Sequence, residues 1–284
     1  DHLSSIHYLR GLDDAEAIKT DLNSCENLAV IGAGYIGLEV AAIAATKNIN
    51  VTVIEMADRV MNRTVDPQIS EYYLGLHQKN GVEFKFNTSL KEIRGNDRPE
   101  YVICSDLSEV KADTVIIGAG VIPDADLASE AGIDTNNGIL VDEYGQTNFE
   151  KIYACGDCTN HPNKILNKNL RLESVHNAME QSKTVAFNIL NNPLEYSQVP
   201  WFWSDQYDHK LQIVGLSGEH DTVTMRGEMS DNKFMLFYTK NSELLAVDSI
   251  NNPKEFLISR KLMEKKVKID VDMISDPAKD LNDL

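Results

Sequence analysis

No apolar run in the chain approaches the roughly 18 residues a membrane-spanning helix requires, and the opening stretch DHLSSIHYLR has no signal-peptide core. The cytoplasm is therefore the expected location. Cysteine is scarce: four in 284 residues, Cys25, Cys104, Cys155 and Cys158, too few and too irregularly spaced for a disulfide scaffold. A reducing compartment is implied. Positive charge is also short, with 27 Lys and Arg against 44 Asp and Glu and a formal net charge of −17. Nucleic acid and anionic membrane surfaces are disfavoured as partners, because phosphate contacts need clustered cations. No second C-x-x-C and no paired-histidine motif accompanies Cys155-Gly-Asp-Cys158, which excludes a zinc site, and no metal is expected elsewhere. Tryptophan is limited to two residues, Trp201 and Trp203, side by side in PWFWSDQY.

What is present is enough for a sizeable core: 42% hydrophobic and 25% charged residues, in a length suited to two or three domains. The organising stretch is LAVIGAGYIGLEVAAIAATKNINVTVIE, residues 28–55. An apolar run of strand length, 28–31, enters a turn with Gly32, Gly34 and Gly37 spaced G-x-G-x-x-G. Val40, Ala41 and Ala44 then recur at helical spacing, with side chains small enough for close helix–strand packing. Gly32 permits the tight turn, Gly34 lets a pyrophosphate reach the backbone, and Gly37 removes a Cβ from the helix–strand contact. Tyr35 and Ile36 lie between the glycines and count with them as cofactor-binding positions. Glu55 ends the second strand, placed to accept hydrogen bonds from ribose hydroxyls and to repel a 2′-phosphate. The pattern predicts an NADH site. Arg59 and Arg63 follow, set back from the strand end where an NADPH-selective arginine would stand.

Along the chain, helices are expected at 15–22 and 68–79, with short strands near 83–86, 90–93 and 101–104. Residues 114–117 form another apolar strand before VIIGAGVIPD turns, and the missing third glycine with Pro123 close behind rules out a second dinucleotide fingerprint there. A β segment at 138–141, a strand at 151–154 ending in CGDC, and a helix over 174–190 come next. Asp157 then sits at a strand's carboxyl end, where open α/β sheets place ligand contacts. After residue 196 the pattern becomes three or four short strands and a helix at 253–263, closed by a polar tail expected as a short helix or frayed end. The fold class is α/β: a Rossmann-like domain at 1–112, a partial second nucleotide-binding domain at 113–195, and a small α+β domain at 196–284.

The motifs YLRGLDDAEAI, VIGAGYIGLEVAA, VIEMADRVMNR, VIIGAGVIPDADLASEAGI, IYACGDC, RLESVHNAMEQ, PWFWSDQY and AVDSINNPKEFLISRKL, in this order, resemble the NADH-dependent, FAD-containing ferredoxin reductases. These serve bacterial ring-hydroxylating dioxygenases and haem monooxygenases, and are relatives of glutathione reductase by fold. The resemblance covers nearly the whole chain. It implies FAD and NAD as cofactors and a [2Fe–2S] ferredoxin as partner, and leaves the oligomeric state open. Family members carry a preceding domain-sized segment for the ADP half of FAD, which this chain lacks. The chain alone is thus expected to bind NADH weakly, hold FAD poorly and be inactive. Alternatives within the same superfamily or fold are an NADH oxidase, an apoptosis-inducing-factor-like flavoprotein, and a flavin-free NAD-binding module.

Carried over residue by residue, the resemblance places Asp157 on the flavin ribitol, Val175 beside the flavin ring and Arg10 near the FAD phosphates. Trp203 would lie beside the isoalloxazine facing the iron–sulfur partner, and Glu39 beside the nicotinamide carboxamide. The ordinary alternatives are core packing for Trp203, a dipole-favoured acid in a first helical turn for Glu39, a turn cap for Asp157, and pairing with Asp13 or Asp14 for Arg10. Arg63 and the loop Ile117-Gly118-Ala119 would flank the NAD phosphates and nicotinamide. The family's chemistry uses flavin without a disulfide, so Cys155 and Cys158 are read as incidental, and His176 as structural. Lys183, Lys254, Arg260, Lys261, Lys265, Lys266 and Lys268 offer a basic surface for an acidic ferredoxin, or simply a solvated helical face.

Overall fold

The computed structural model describes residues 3–284. It divides into two compact units, Asp1–Val121 with Ser204–His209, and Ile122–Trp203 with Lys210–Leu284.

The first unit contains β1 (Ile6–Tyr8), α1 (Leu12–Asp21), β2 (Asn27–Ile31), α2 (Tyr35–Thr46), β3 (Asn50–Ile54), α3 (Pro67–Lys79), β4 (Glu83–Lys85), β5 (Leu90–Gly95), β6 (Pro99–Cys104), β7 (Glu109–Lys111) and β8 (Thr114–Ile117). Five strands make a parallel sheet in the order β1-β8-β2-β3-β4. Its inner strands are buried on both faces, which is why they read as continuous apolar runs without alternation. α2 buries Leu38, Val40, Ala41 and Ala44, the small side chains admitting the close approach expected of them. α3 begins where the Asp66 carboxylate accepts the Gln68 N–H and Pro67 opens the first turn. Strands β5, β6 and β7 form an antiparallel layer whose Val102, Cys104 and Val110 pack against Ala29, Ile31 and Val115. The unit continues through β8 to Val121, past the boundary expected at residue 112. This matters for the site: β2 connects onward to β3 on one side while β8 returns on the other, so the carboxyl ends of β2 and β8 flank a topological switch point, where such sheets bind ligands.

The second unit contains α4 (Asp126–Glu130), β9 (Ile139–Leu140), β10 (Thr159–Asn163), β11 (Lys168–Leu170), α5 (Val175–Ile189), β12 (Trp201–Gln206), β13 (His209–Gly215), β14 (Thr222–Glu228), β15 (Lys233–Lys240), β16 (Glu243–Ile250), α6 (Pro253–Glu264) and α7 (Val271–Ser275), with Ser204–His209 of β12 and β13 clustering in the first unit. Its larger sheet has the order β12-β13-β16-β15-β14, antiparallel from β13 to β14, over a core of Val214, Met235, Phe237, Val247, Phe256 and Met263.

Two expectations change here. The strand at 151–154 does not form. Lys151 has φ +67, and only Tyr153 makes an isolated bridge, to Gln146. An apolar run becomes a strand only when a neighbouring edge takes up its backbone groups, and none among the described residues pairs with this one along its length. Strands appear instead at β10 and β11 and across PWFWSDQY. The polar tail, finally, is anchored: Ile274 and Leu281 are buried in the core. Buried Arg226 forms an ion pair with Glu255 and donates to the carbonyls of Asp276 and Lys279.

Candidate dinucleotide site and the CGDC turn

The turn after β2 has the geometry its glycines predict. Gly32 has φ +102, a conformation that favours glycine, and a Cβ there would stand 2.6 Å from the Gly118 carbonyl oxygen. A Cβ at Gly37 would meet the Gly32 carbonyl oxygen at 2.1 Å, so this helix cannot approach the turn with any larger residue. A Cβ at Gly34 would meet nothing within 4 Å. Open space beside the residue that precedes α2 leaves room for a ligand to reach the backbone, and the first turn of α2 carries no acidic side chain that would repel an anion. Tyr35 opens α2, and Ile36 beside it is exposed. Gly118 closes the far side: its N–H donates to the Ile31 carbonyl at 2.8 Å, joining the ends of β2 and β8.

Glu55 stands at the end of β3, and its carboxylate is already engaged. Oε2 accepts the Ala33 N–H at 2.6 Å and Oε1 the Ala57 N–H at 2.8 Å. The side chain thus ties the glycine turn to the strand end, and each oxygen keeps a lone pair for a further donor. Arg59 is committed elsewhere, donating to the carbonyls of Val65 and Asn62 and to Ser70 Oγ. It is not available to read a phosphate. Arg63 is exposed, and its guanidinium lies 3.6 Å from where a Cβ at Gly120 would be, so the structure brings it to the loop that follows β8.

Glu39 is the fifth residue of α2, beyond the first turn on which it was expected. It is partly buried, and its Oε1 accepts the Ser204 hydroxyl at 2.6 Å. Burial raises its carboxyl above the ordinary range, the Ser204 hydrogen bond opposes this, and the charge of Asp205 adds to it. Arg10 is exposed, and its backbone N–H, with that of Gly11, donates to the Asp14 carboxylate.

In the second unit the CGDC turn rests on α5. The Gly156 N–H and the Thr159 hydroxyl both donate to Gln181 Oε1, at 2.7 and 2.9 Å. Gly156 has φ +87, and a Cβ there would lie in ordinary contact with Ala178 at 3.8 Å. Asp157 is exposed at the turn's crest. Val175, the first residue of α5 after its Ser174 cap, is also exposed. Cys155 and Cys158 are free thiols, and burial pushes the Cys155 thiol up, away from the reactive thiolate. Trp203 is half-buried, its ring 5.3 Å from that of Trp201. Trp201 in turn carries the Arg260 guanidinium over its face at 5.0 Å and has His176 beside it. Among the described residues no cluster of His, Cys, Asp and Glu could hold a metal, and no helix is long and apolar enough to cross a membrane.

A glycine turn at a parallel-sheet switch point is shared by many proteins, and the comparisons narrow it. The profile of the pyridine nucleotide-disulphide oxidoreductases matches residues 3–182, and that of the reductase C-terminal domain residues 201–284. The chain belongs to the pyridine nucleotide-disulphide oxidoreductase family. Rhodocoxin reductase of Rhodococcus erythropolis is 38% identical over 281 residues, which is 99% of this chain and 66% of that protein. The crystal structure of the ferredoxin reductase for the CYP199A2 system from Rhodopseudomonas palustris has a TM-score of 0.96 at 36% identity, over 99% of this chain and 70% of that one. That of the covalent putidaredoxin reductase–putidaredoxin complex has a TM-score of 0.94 at 37% identity, over 98% and 68%. The chain spans about two thirds of the length of the curated relatives it matches.

For a member of this family, two features of the site were invisible in the sequence motifs. One is the backbone role of Glu55, since no pattern announces that its carboxylate accepts two N–H groups. The other is Ser204, separated from Glu39 by 165 positions. The basic surface is mixed: Lys254, Lys261, Lys265, Lys266 and Lys268 are exposed, whereas Lys183 pairs with Glu180 and Arg260 lies over Trp201.

Proposed function

We propose that this chain is the NADH-binding and C-terminal part of a ferredoxin reductase that serves an oxygenase system, with FAD as its second cofactor and a [2Fe–2S] ferredoxin as its acceptor. The observation that carries the reading is the open backbone at Gly34 between the start of α2 and the Glu55 carboxylate. Backbone N–H groups at the start of α2 would hold the pyrophosphate, and the free lone pairs of Glu55 the ribose hydroxyls. Arg63 and the loop at Gly118 would border the phosphates and the nicotinamide, with Tyr35 and Ile36 beside them and Glu39 toward the carboxamide. Glu55 disfavours a 2′-phosphate, and the commitment of Arg59 removes one cation able to compensate.

The residues of the second unit fit a flavin. Asp157 is exposed on a turn held rigid by Gln181, and α5 begins at the exposed Val175 with its dipole directed outward. Asp157 would hold the ribitol, Val175 border the ring and Trp203 stand beside the isoalloxazine. Bound flavin supplies the chemistry that links the two-electron donor NADH to a one-electron acceptor. The raised Cys155 thiol is consistent with transfer that uses no dithiol. Putidaredoxin reductase has been crystallised covalently joined to putidaredoxin, and the exposed lysines from Lys254 to Lys268 would draw an acidic partner.

Titration calorimetry tests the reading directly. NADH is expected to bind the chain, and NADPH at least about tenfold more weakly. No heat with either nucleotide would overturn it. In the full-length protein, cytochrome c reduction by NADH is expected only after a [2Fe–2S] ferredoxin is added.

A further inference from the structure

Behind Glu39, within the first unit, runs a line of buried polar groups that the dinucleotide site does not itself require. The Ser204 hydroxyl donates to Glu39 Oε1 at 2.6 Å, and Gln206 Nε2 donates to Ser204 Oγ at 3.2 Å. Gln206 Oε1 lies 2.8 Å from His77 Nε2, and the Tyr207 hydroxyl 3.2 Å from His77 Nδ1. Gln206 Nε2 also faces Met61 Sδ, at 4.0 Å. Ser204, Gln206 and His77 are all at most 1% exposed. With no water to relieve them, each must find its donors and acceptors inside the line.

Two arrangements satisfy every link. In one, all hydrogens point toward an ionised Glu39: Tyr207 donates to His77 Nδ1, His77 Nε2–H to Gln206 Oε1, Gln206 to Ser204, and Ser204 to the carboxylate. In the other every hydrogen points away. Glu39, now protonated, donates to Ser204 Oγ, Ser204 to Gln206 Oε1, Gln206 Nε2 to His77 Nε2, and His77 Nδ1–H to the Tyr207 oxygen. The amide rotates by half a turn, which costs little because its two ends have the same shape, and the imidazole exchanges its proton from Nε2 to Nδ1. The net change is one proton gained, on Glu39.

We propose that Ser204, Gln206, His77 and Tyr207 are positioning residues, a reversible hydrogen-bond line whose direction follows the protonation of Glu39 and which holds that proton, when present, on Oε1 against Ser204, so that Oε2 stays an acceptor for the nicotinamide carboxamide in both states. The assignment of Glu39 to the nicotinamide side rests on the function proposed above; the line itself does not. The titratable groups facing it are Asp205, whose charge and backbone N–H both reach Glu39, and Tyr207 beside His77. Burial lowers the His77 basicity, opposed by Gln206, and so favours the neutral ring, which has two tautomers.

The test is the His77 tautomer, read by nitrogen NMR of the chain labelled at histidine and assigned by loss of the signal in His77→Asn. The wild-type chain is expected to hold Nε2–H at alkaline pH and to move toward Nδ1–H as Glu39 takes up its proton. Glu39→Leu removes the terminal acceptor, so Ser204 must turn its hydrogen toward Gln206, and Nδ1–H is expected at every pH. A tautomer that is the same in wild type and Glu39→Leu at alkaline pH overturns the proposal. As a second measurement, Ser204→Ala is expected to weaken NADH binding about tenfold at neutral pH and flatten its pH dependence. Equal affinity and pH profile in the two proteins would overturn the link to the nucleotide. If the wild-type chain binds no NADH, the proposed function fails while the tautomer measurement still decides the line.

Discussion

Two glycine-bearing turns of this protein, GAGYIG at 32–37 and CGDC at 155–158, are built on opposite plans. The turn at Gly32–Gly37 follows a strand paired on both sides, by β3 and by β8, and its glycines serve contact: Gly37 is where a Cβ would strike a backbone carbonyl. The turn at Cys155–Cys158 follows a segment with one isolated bridge, and its glycine serves conformation: at φ +87, Gly156 has ordinary room around it. What the first turn obtains from the sheet, the second obtains from one buried side chain, Gln181. A glycine motif therefore marks where the chain turns, while the neighbours that hold the turn come from elsewhere in the fold.

Substitution separates the two plans. Gly37→Ala carries the largest expected effect, a loss of about 3 kcal/mol in the first unit, since the clash is with backbone that cannot rotate away; urea unfolding measures it, and the NADH heat should vanish with it. A fall below about 1 kcal/mol would show that α2 can slide on its strand. Gln181→Leu comes next, at about 2 kcal/mol, because the buried Gly156 N–H loses its acceptor while the Thr159 hydroxyl keeps only the Gly156 carbonyl. An unchanged midpoint would mean that the CGDC turn does not depend on α5.

Gly156→Ala should cost about 1–2 kcal/mol, the strain of a left-handed residue without a clash. A cost as large as that of Gly37→Ala would erase the distinction between contact and conformation. Glu55→Gln keeps one carboxamide oxygen for Ala33 or Ala57 but not both, with an expected loss of about 1 kcal/mol. Its sharper readout is the NADPH-to-NADH affinity ratio, which should rise as the negative charge goes. The smallest effect is chemical: Cys155, its thiol raised by burial, should react with iodoacetamide at pH 8 more slowly than free glutathione. Faster reaction would reopen a redox role for the pair.

Legibility followed the range of the interactions. The glycine spacing, the helix expected over 68–79, which the structure starts one residue earlier at Pro67, and the strands between Leu211 and Ile250 all express local rules. Glu55 was found by its spacing, yet its two N–H partners were not, because Ala33 is 22 residues away and carries no side-chain signal. The strand at 151–154 was a misreading of the same kind: IYA has the apolar character of a strand, but pairing needs an edge. The tail was the converse case. Its polar composition suggested a short helix or a frayed end; the short helix forms as α7, and Arg226, some fifty positions upstream, holds the carbonyls that follow it.

By itself, then, the amino-acid sequence determined the α/β class, the dinucleotide turn, the family and the acidic residue that ends β3, since each depends on spacing within a few turns of chain. Tertiary structure alone decided which strands exist at 151–163, that Arg59 is spent on its own loop, and that Glu39 meets Ser204 and the polar line behind it. Those outcomes depend on which buried donor finds which acceptor, and a pairing across 165 residues leaves no periodicity in the sequence to read.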